Sequence, residues 1–419
     1  MVHPGNARGT RRDLIRMGLS TLGFSCAVPL LFQRVVQAEA RAELEGISAA
    51  PDNRILVILE LTGGNDGLNT VVPYSDDAYY RARPRLAIRP FQVLKLNDRV
   101  GLHPACTGLH ALFQEGKLAI VQGCGYPNPN LSHFTAMEYW HTAIPHGSEP
   151  YGWVGRFADA HQPTPVQNYL VNIATQQSRA VTSARHAPLI FKDPDRLRRI
   201  GTQAQQQVFE TFGKIHPTSN PALDHVQRVT RAAAVGAELV RTACREYHTW
   251  VDYGGDHELS LDLKKVAAMI AAGLPTRLFY LSMGGFDTHA AQPDLHQLLL
   301  IYLSDALRGF LNDLDRLGRS DDVVVMVFTE FGRRVDENGS RGTDHGTATP
   351  MFVLGKPVAG GLYGTHPSLT NLDQGNLRMT TDFRSIYATV LKAWMRLRET
   401  PMVLRGDFPQ LPLFGEPPA

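Results

Sequence analysis

The chain has 419 residues, 42 of them Lys or Arg against 40 Asp or Glu, for a formal charge of +2, and 43 % are apolar. So even a balance, with no long basic run, argues against a nucleic-acid partner. Four cysteines in this length exclude a disulfide scaffold, and the length suits one large α/β domain or two smaller ones with a substantial core.

The first forty residues read as a targeting segment. Arg11-Arg12 stands just before an apolar run from Met17 to Phe32, which is short for a membrane span of about 20 residues, and Ala38-Glu39-Ala40 offers a small-x-small cleavage pattern. We expect residues 1–40 to be a twin-arginine signal, 41–53 a linker and 54–415 a single domain. The expected location is periplasmic or secreted, with the twin-arginine translocase as export partner and no stable membrane span in the mature protein. Beyond the leader, Cys106 and Cys124 either pair in an oxidising compartment or remain buried thiols, and Cys244 is left over.

Arg54 to Leu61 is a near-continuous apolar run, the mark of a strand buried on both faces, and it ends in the turn Thr62-Gly63-Gly64-Asn65-Asp66. A helix is expected from about His103 to Gln114, then a strand from Leu118 to Gln122. Leu131-Ser132-His133-Phe134 opens a helix to about Thr142, with Ser132 at or near its cap. Residues from roughly 163 to 256 read as a mainly helical insertion. Within it, short strands are expected at Tyr169 to Ala174 and Pro188 to Phe191, and helices at Thr202 to Lys214 and Ala222 to Arg245. A helix from Leu261 to Ala272, a strand from Arg277 to Ser282 and a long amphipathic helix from Leu295 to Leu317 follow. The last elements are strands at Val323 to Phe328 and Pro350 to Leu354 and a helix from Asp382 to Trp394. Strands alternating with long helices imply a mostly parallel sheet covered on both faces.

Ligands in such sheets collect beyond the carboxyl ends of the strands. There the sequence places Asp66 and Asn69, Asp287 and His289, Glu330 with Arg333 and Arg334, and Asp344-His345. Asp-x-His with a distant His is a workable N/O set for a divalent cation. Singly, each residue also has a plainer role: Asp66 and Asp344 satisfying turn amides, each His hydrogen-bonded within the fold, the arginines paired with acids. Ser132 is either an N-cap or a nucleophile favoured by a helix N-terminus and an adjacent ion. No Gly-x-Ser-x-Gly elbow is present, which disfavours a typical α/β-hydrolase.

The segments Leu61 to Thr70, Leu131 to Phe134, Gly285 to His289, Thr329 to Arg334 and Gly342 to Ala348 together resemble the bacterial domain-of-unknown-function family numbered 1501. That family in turn resembles the alkaline-phosphatase and sulfatase superfamily. The resemblance implies an alkaline-phosphatase-like α/β/α sandwich of three layers, with one or two divalent ions (zinc, manganese or calcium). Carried over residue by residue, it implies Ser132 as nucleophile and Asp66, Asp287, His289, Glu330 and His345 as metal ligands, with His296 a fallback for His289. Asn69, His133, Arg333, Arg334 and Asp344 are the expected substrate contacts. Where the superfamily has an Asp-His pair, this chain reads Glu330-Phe331, which keeps the carboxylate and loses the imidazole. The function so implied is an exported metal-dependent hydrolase of phosphate or sulfate esters, its substrate an anionic small molecule or glycan ester. The other implied reading is a non-catalytic periplasmic binding or scaffold protein on the same fold.

Overall fold

A computed structural model describes residues 53–197 and 221–415. The expected leader, the linker apart from its last residue, and the expected helix from Thr202 to Lys214 lie outside the described residues. The chain separates into two compact units, one of residues 50–192 and 246–419, the other of residues 1–49 and 193–245.

The first unit is built on a nine-stranded sheet. In chain order its strands are β1 (Ile55–Leu61), β2 (Leu118–Gly125), β3 (Leu170–Ile173), β4 (Leu189–Phe191), β5 (Leu278–Met283), β6 (Val323–Thr329), β7 (Thr349–Leu354), β8 (Gly361–Tyr363) and β9 (Thr381–Asp382). The order across the sheet is β8-β2-β7-β6-β1-β5-β3-β4, with β9 also pairing β2. All of these pairings are parallel except those of β7, which runs against both β2 and β6. Of the stretch expected to be an insertion, β3 and β4 are strands of this central sheet, hydrogen-bonded to β5 and to each other. The second unit contains the helix Pro221–Glu246 except for its last residue.

The central strands form because their apolar runs bury completely: every residue of β1, β2 and β6 is buried. At about 1.5–3 kcal/mol for each fully buried large aliphatic side chain, this layer is the main favourable term of the fold. Leu56 and Ile58 of β1 face a cluster containing Trp140, Trp153, Phe157, Phe383 and Tyr387. Those rings come from α1 (His133–Thr142), α2 (Trp153–His161) and α3 (Phe383–Thr389). A long helix, α4 (Gln292–Arg316), packs with the helices Thr107–Gln114 and Glu258–Ala271 in another layer. Cys106 and Cys124 are both buried free thiols. No helix among the described residues is long and apolar enough to cross a membrane.

Candidate metal centre

With β7 the sole reversed strand, the ends of β1, β5 and β6 and the start of β7 open at one edge of the sheet, where the four expected segments meet. The glycines after β1 permit that meeting. Gly63 has φ +115°, and a Cβ there would stand 2.5 Å from the Asp287 nitrogen. Gly64, at φ +75°, would drive a Cβ into the Phe331 ring at 2.4 Å. A larger residue at either position would push the β5 and β6 loops away from β1.

At the centre stands Asp287. One of its oxygens, Oδ1, accepts from the buried Arg333 guanidinium at 2.7 Å and lies 3.0 Å from His289 Nε2 and 3.2 Å from His345 Nε2. The other, Oδ2, lies 3.4 Å from His133 Nε2. The ligand atoms of His133, Asp287 and His345 all fall within 4.8 Å of one another, and His289 Nε2 is 2.9 Å from His345 Nε2.

The far side of each ring fixes what faces Asp287. His133 Nδ1 meets Glu330 Oε1 at 2.7 Å, His345 Nδ1 meets the Leu131 carbonyl at 2.8 Å, and His289 Nδ1 meets Asp344 Oδ1 at 3.2 Å. Carboxylates and carbonyls only accept, so each Nδ1 must carry the hydrogen. In the neutral rings, three Nε2 lone pairs then point towards one carboxylate. His133 Nε2 is itself a buried atom without a hydrogen-bond partner. Acceptors turned on one another in this way repel unless a proton or a cation lies between them, and the residues fit a bound divalent metal ion, with outer partners of the kind that orient metal-binding imidazoles.

Charge is arranged to match. Burial would raise the Asp287 pKa, but Arg333, together with His345 and His289 when their Nε2 atoms carry protons, outweighs it and brings the carboxyl down to about 2. Burial likewise acts to raise Glu330, and the hydrogen bonds from His133 and backbone amides hold it below the ordinary range. The hydrogen bond to Glu330 lifts His133 above the usual imidazole value, whereas burial lowers His345.

The expected residues therefore divide. Asp287, His289 and His345 come together. Glu330 accepts from the Gly63 amide and Thr329 as well as from His133, so it holds the imidazole instead of facing the centre. Asp66 is kept out altogether. Fully buried, it caps the turn Gly67–Thr70, pairs with Arg83 Nη1 at 2.6 Å and accepts from Gln292 at 2.5 Å. Burial acts to raise its pKa, but Arg83 and His296 prevail and the value is lowered. Asn69 is spent inside, on the Leu86 carbonyl, Tyr79 and Arg83. His296 is buried against Asn65, and burial lowers its pKa to about 4, so it is a neutral structural ring.

Arg333 reaches the Gly63, Gly64, Phe286 and Thr343 carbonyls besides Asp287, tying three loops together. Arg334, half-buried, joins the Asp344 carbonyl through its backbone amide. Asp344 steadies His289. Phe331 fills the place expected of an imidazole, its ring 4.9 Å from that of His133 and 4.8 Å from that of His345. Ser132 caps α1 from an exposed position, and its hydroxyl makes no capping bond.

A cleft of about 650 Å³ opens from the centre along α1, lined at one end by His133, Asp287 and Glu330. His133, expected among the substrate contacts, stands instead in the group with Asp287 and His345 that could hold a metal ion. Its signal in the sequence is the helix-opening pair Ser132-His133, which sets the imidazole at the first turn of α1.

The family model described as "Protein of unknown function (DUF1501)" matches residues 53–404. No curated protein matches the chain. Among solved structures it is similar to a protein in the alkaline phosphatase superfamily from Vibrio parahaemolyticus, at 11 % identity over 86 % of this chain and 71 % of that one, with a TM-score of 0.40. It is similar to the PsFucS1 sulfatase from Pseudoalteromonas sp., at 12 % identity over 88 % and 73 %, TM-score 0.32. A third likeness is to the C-terminal periplasmic domain of EcEptC from Escherichia coli in complex with Zn, at 11 % identity over 74 % of each chain, TM-score 0.33.

Proposed function

The chain belongs to the DUF1501 family, and from that premise we propose that it is a metal-dependent hydrolase of phosphate or sulfate esters. The observation that carries the proposal is the geometry: the Nδ1 atoms of His133, His345 and His289 lie against Glu330, the Leu131 carbonyl and Asp344, and their Nε2 atoms lie 3.4, 3.2 and 3.0 Å from Asp287. Phosphate and sulfate are chosen because the motifs resemble those of alkaline phosphatases and sulfatases.

A divalent ion bound by Asp287, His133, His345 and His289 would supply Lewis acidity for charge developing on ester oxygens. The chain's own residues do the rest. Arg333 keeps Asp287 ionised and immobile, and Glu330 locks the His133 tautomer. Phe331 walls the two rings off with an apolar face. Ser132, adjoining His133 at the positive end of α1, is the proposed nucleophile. The leader is proposed to route the folded protein through the twin-arginine translocase to the periplasm.

Elemental analysis of the purified protein beside the double variant Asp287→Ala, His345→Ala tests the centre. We expect near-stoichiometric zinc, manganese, iron or calcium in the wild type and none in the variant; a wild type that neither holds nor takes up metal refutes the reading. Turnover of 4-nitrophenyl phosphate or 4-nitrophenyl sulfate by the loaded protein, lost in Ser132→Ala, tests the chemistry. Metal without turnover of either ester favours the non-catalytic binding protein. Retention of the precursor in the cytoplasm on Arg11→Lys, Arg12→Lys tests the export route.

A further inference from the structure

The cleft does not end at the metal centre. It runs along one face of α1, past His133, Phe134 and Met137 to His141, and its far end is closed by Glu60. His133, Met137 and His141 are spaced by four, so they stack on one side of the helix, with the two histidines about 12 Å apart along its axis. On the α1 wall an anion-seeking end and a second polar end are thus separated by Phe134 and Met137, while Gln176, Gln177 and Arg179 also line the cleft.

Glu60 is unexpected where it stands. It alternates with Leu56 and Ile58 on the β1 face that meets the aromatic cluster, and it is buried. An aliphatic residue there would avoid the desolvation of a carboxylate. Instead Glu60 Oε2 accepts from His141 Nε2 at 2.7 Å and from the Tyr280 hydroxyl. Burial and the Glu60 charge hold the Tyr280 phenol in its protonated, donating form. Both donors meet one oxygen, so His141 must carry its hydrogen on Nε2, leaving Nδ1 an acceptor. His141 is 9 % exposed, and Nδ1 has no partner among the described residues.

We infer that His141, held by Glu60 and Tyr280, is a specificity subsite that accepts a hydrogen bond from a hydroxyl on the alcohol portion of the substrate, across an apolar spacer lying on Phe134 and Met137. The inference rests on the ester reading above and narrows it. The substrate class is an ester of an alcohol bearing a remote hydroxyl beyond an apolar segment. Glu60 and Tyr280 are positioning residues in this scheme.

Calorimetric titration of the zinc-loaded protein with octylphosphonate and 8-hydroxyoctylphosphonate tests the inference without turnover, since the C–P bond is not hydrolysed. The hydroxylated ligand should bind about fivefold more tightly, the worth of one net hydrogen bond. In His141→Leu that ratio should fall to one, and in His141→Gln, which keeps an acceptor, part of it should survive. If His141→Leu does not fold, Tyr280→Phe supplies the reduced ratio, because it loosens Glu60 without touching the ligand. Equal affinities in the wild type overturn the inference and leave the ester reading standing. If neither phosphonate binds, the inference falls together with the phosphate-ester reading, and turnover of 4-nitrophenyl sulfate decides the sulfate one.

Discussion

Two aspartates at the same edge of the sheet have opposite fates. Asp66 follows β1 and Asp287 follows β5, both after glycine-bearing turns and both beside a buried arginine. Asp66 is enclosed, its oxygens taken by Arg83, Gln292 and the Asn69 amide. Asp287 is 46 % exposed at its side chain, shares only Arg333 as a permanent cation, and otherwise faces imidazole lone pairs. A carboxylate whose lone pairs are filled by fixed donors is a structural anchor. One that faces other acceptors is a seat for a ligand, because only a cation or proton relieves the arrangement.

The largest effect should come from breaking the enclosed pair. Asp66→Asn leaves the Arg83 charge buried and should cost about 3–5 kcal/mol of stability in denaturant titration, with bound metal per mole of folded protein unchanged. Loss of metal at unchanged stability would reverse the roles assigned to the two aspartates. On the open side, Glu330→Gln weakens the hold on His133 and should reduce zinc affinity about 10–100-fold in competition titration, as loss of an outer partner does.

The acid limb of stability sharpens the contrast further. The Asp66 pKa is lowered in the folded protein, so its contribution is complete above the unfolded value and is lost as pH falls through the folded one. The advantage of the wild type over Asp66→Asn should therefore be full near neutral pH and shrink as pH falls below about 4 in denaturation curves. Smallest is Ser132→Ala: exposed, and with a hydroxyl that makes no capping bond, Ser132 should change stability by no more than about 0.5 kcal/mol, so a loss of turnover there reports chemistry and not folding.

The sequence by itself determined the sheet. Apolar runs at β1, β2, β6 and β7 can be satisfied only by strands buried on both faces, and glycine-rich turns after them mark the edge where polar residues gather. The gathering of Asp287, His289 and His345 at that edge was legible because the first two lie just after β5 and the third just before β7. Within the stretch expected as an insertion, β3 and β4 are legible as short strands, but the sheet they join is not. Their place in the sheet is decided by pairing with β5, which is a long-range contact.

Tertiary structure alone decided which acid is enclosed. Arg83 lies seventeen residues beyond Asp66 and Gln292 on a distant helix, and no local pattern announces that all three converge. It also decided that Glu330 supports His133, and that Glu60, an apparent blemish in an apolar strand, meets His141 and Tyr280. Sequence spacing sets which residues share a face or a loop. Whether a side chain there finds its hydrogen bonds already satisfied depends on partners brought from elsewhere in the chain, and that satisfaction separates anchor from site.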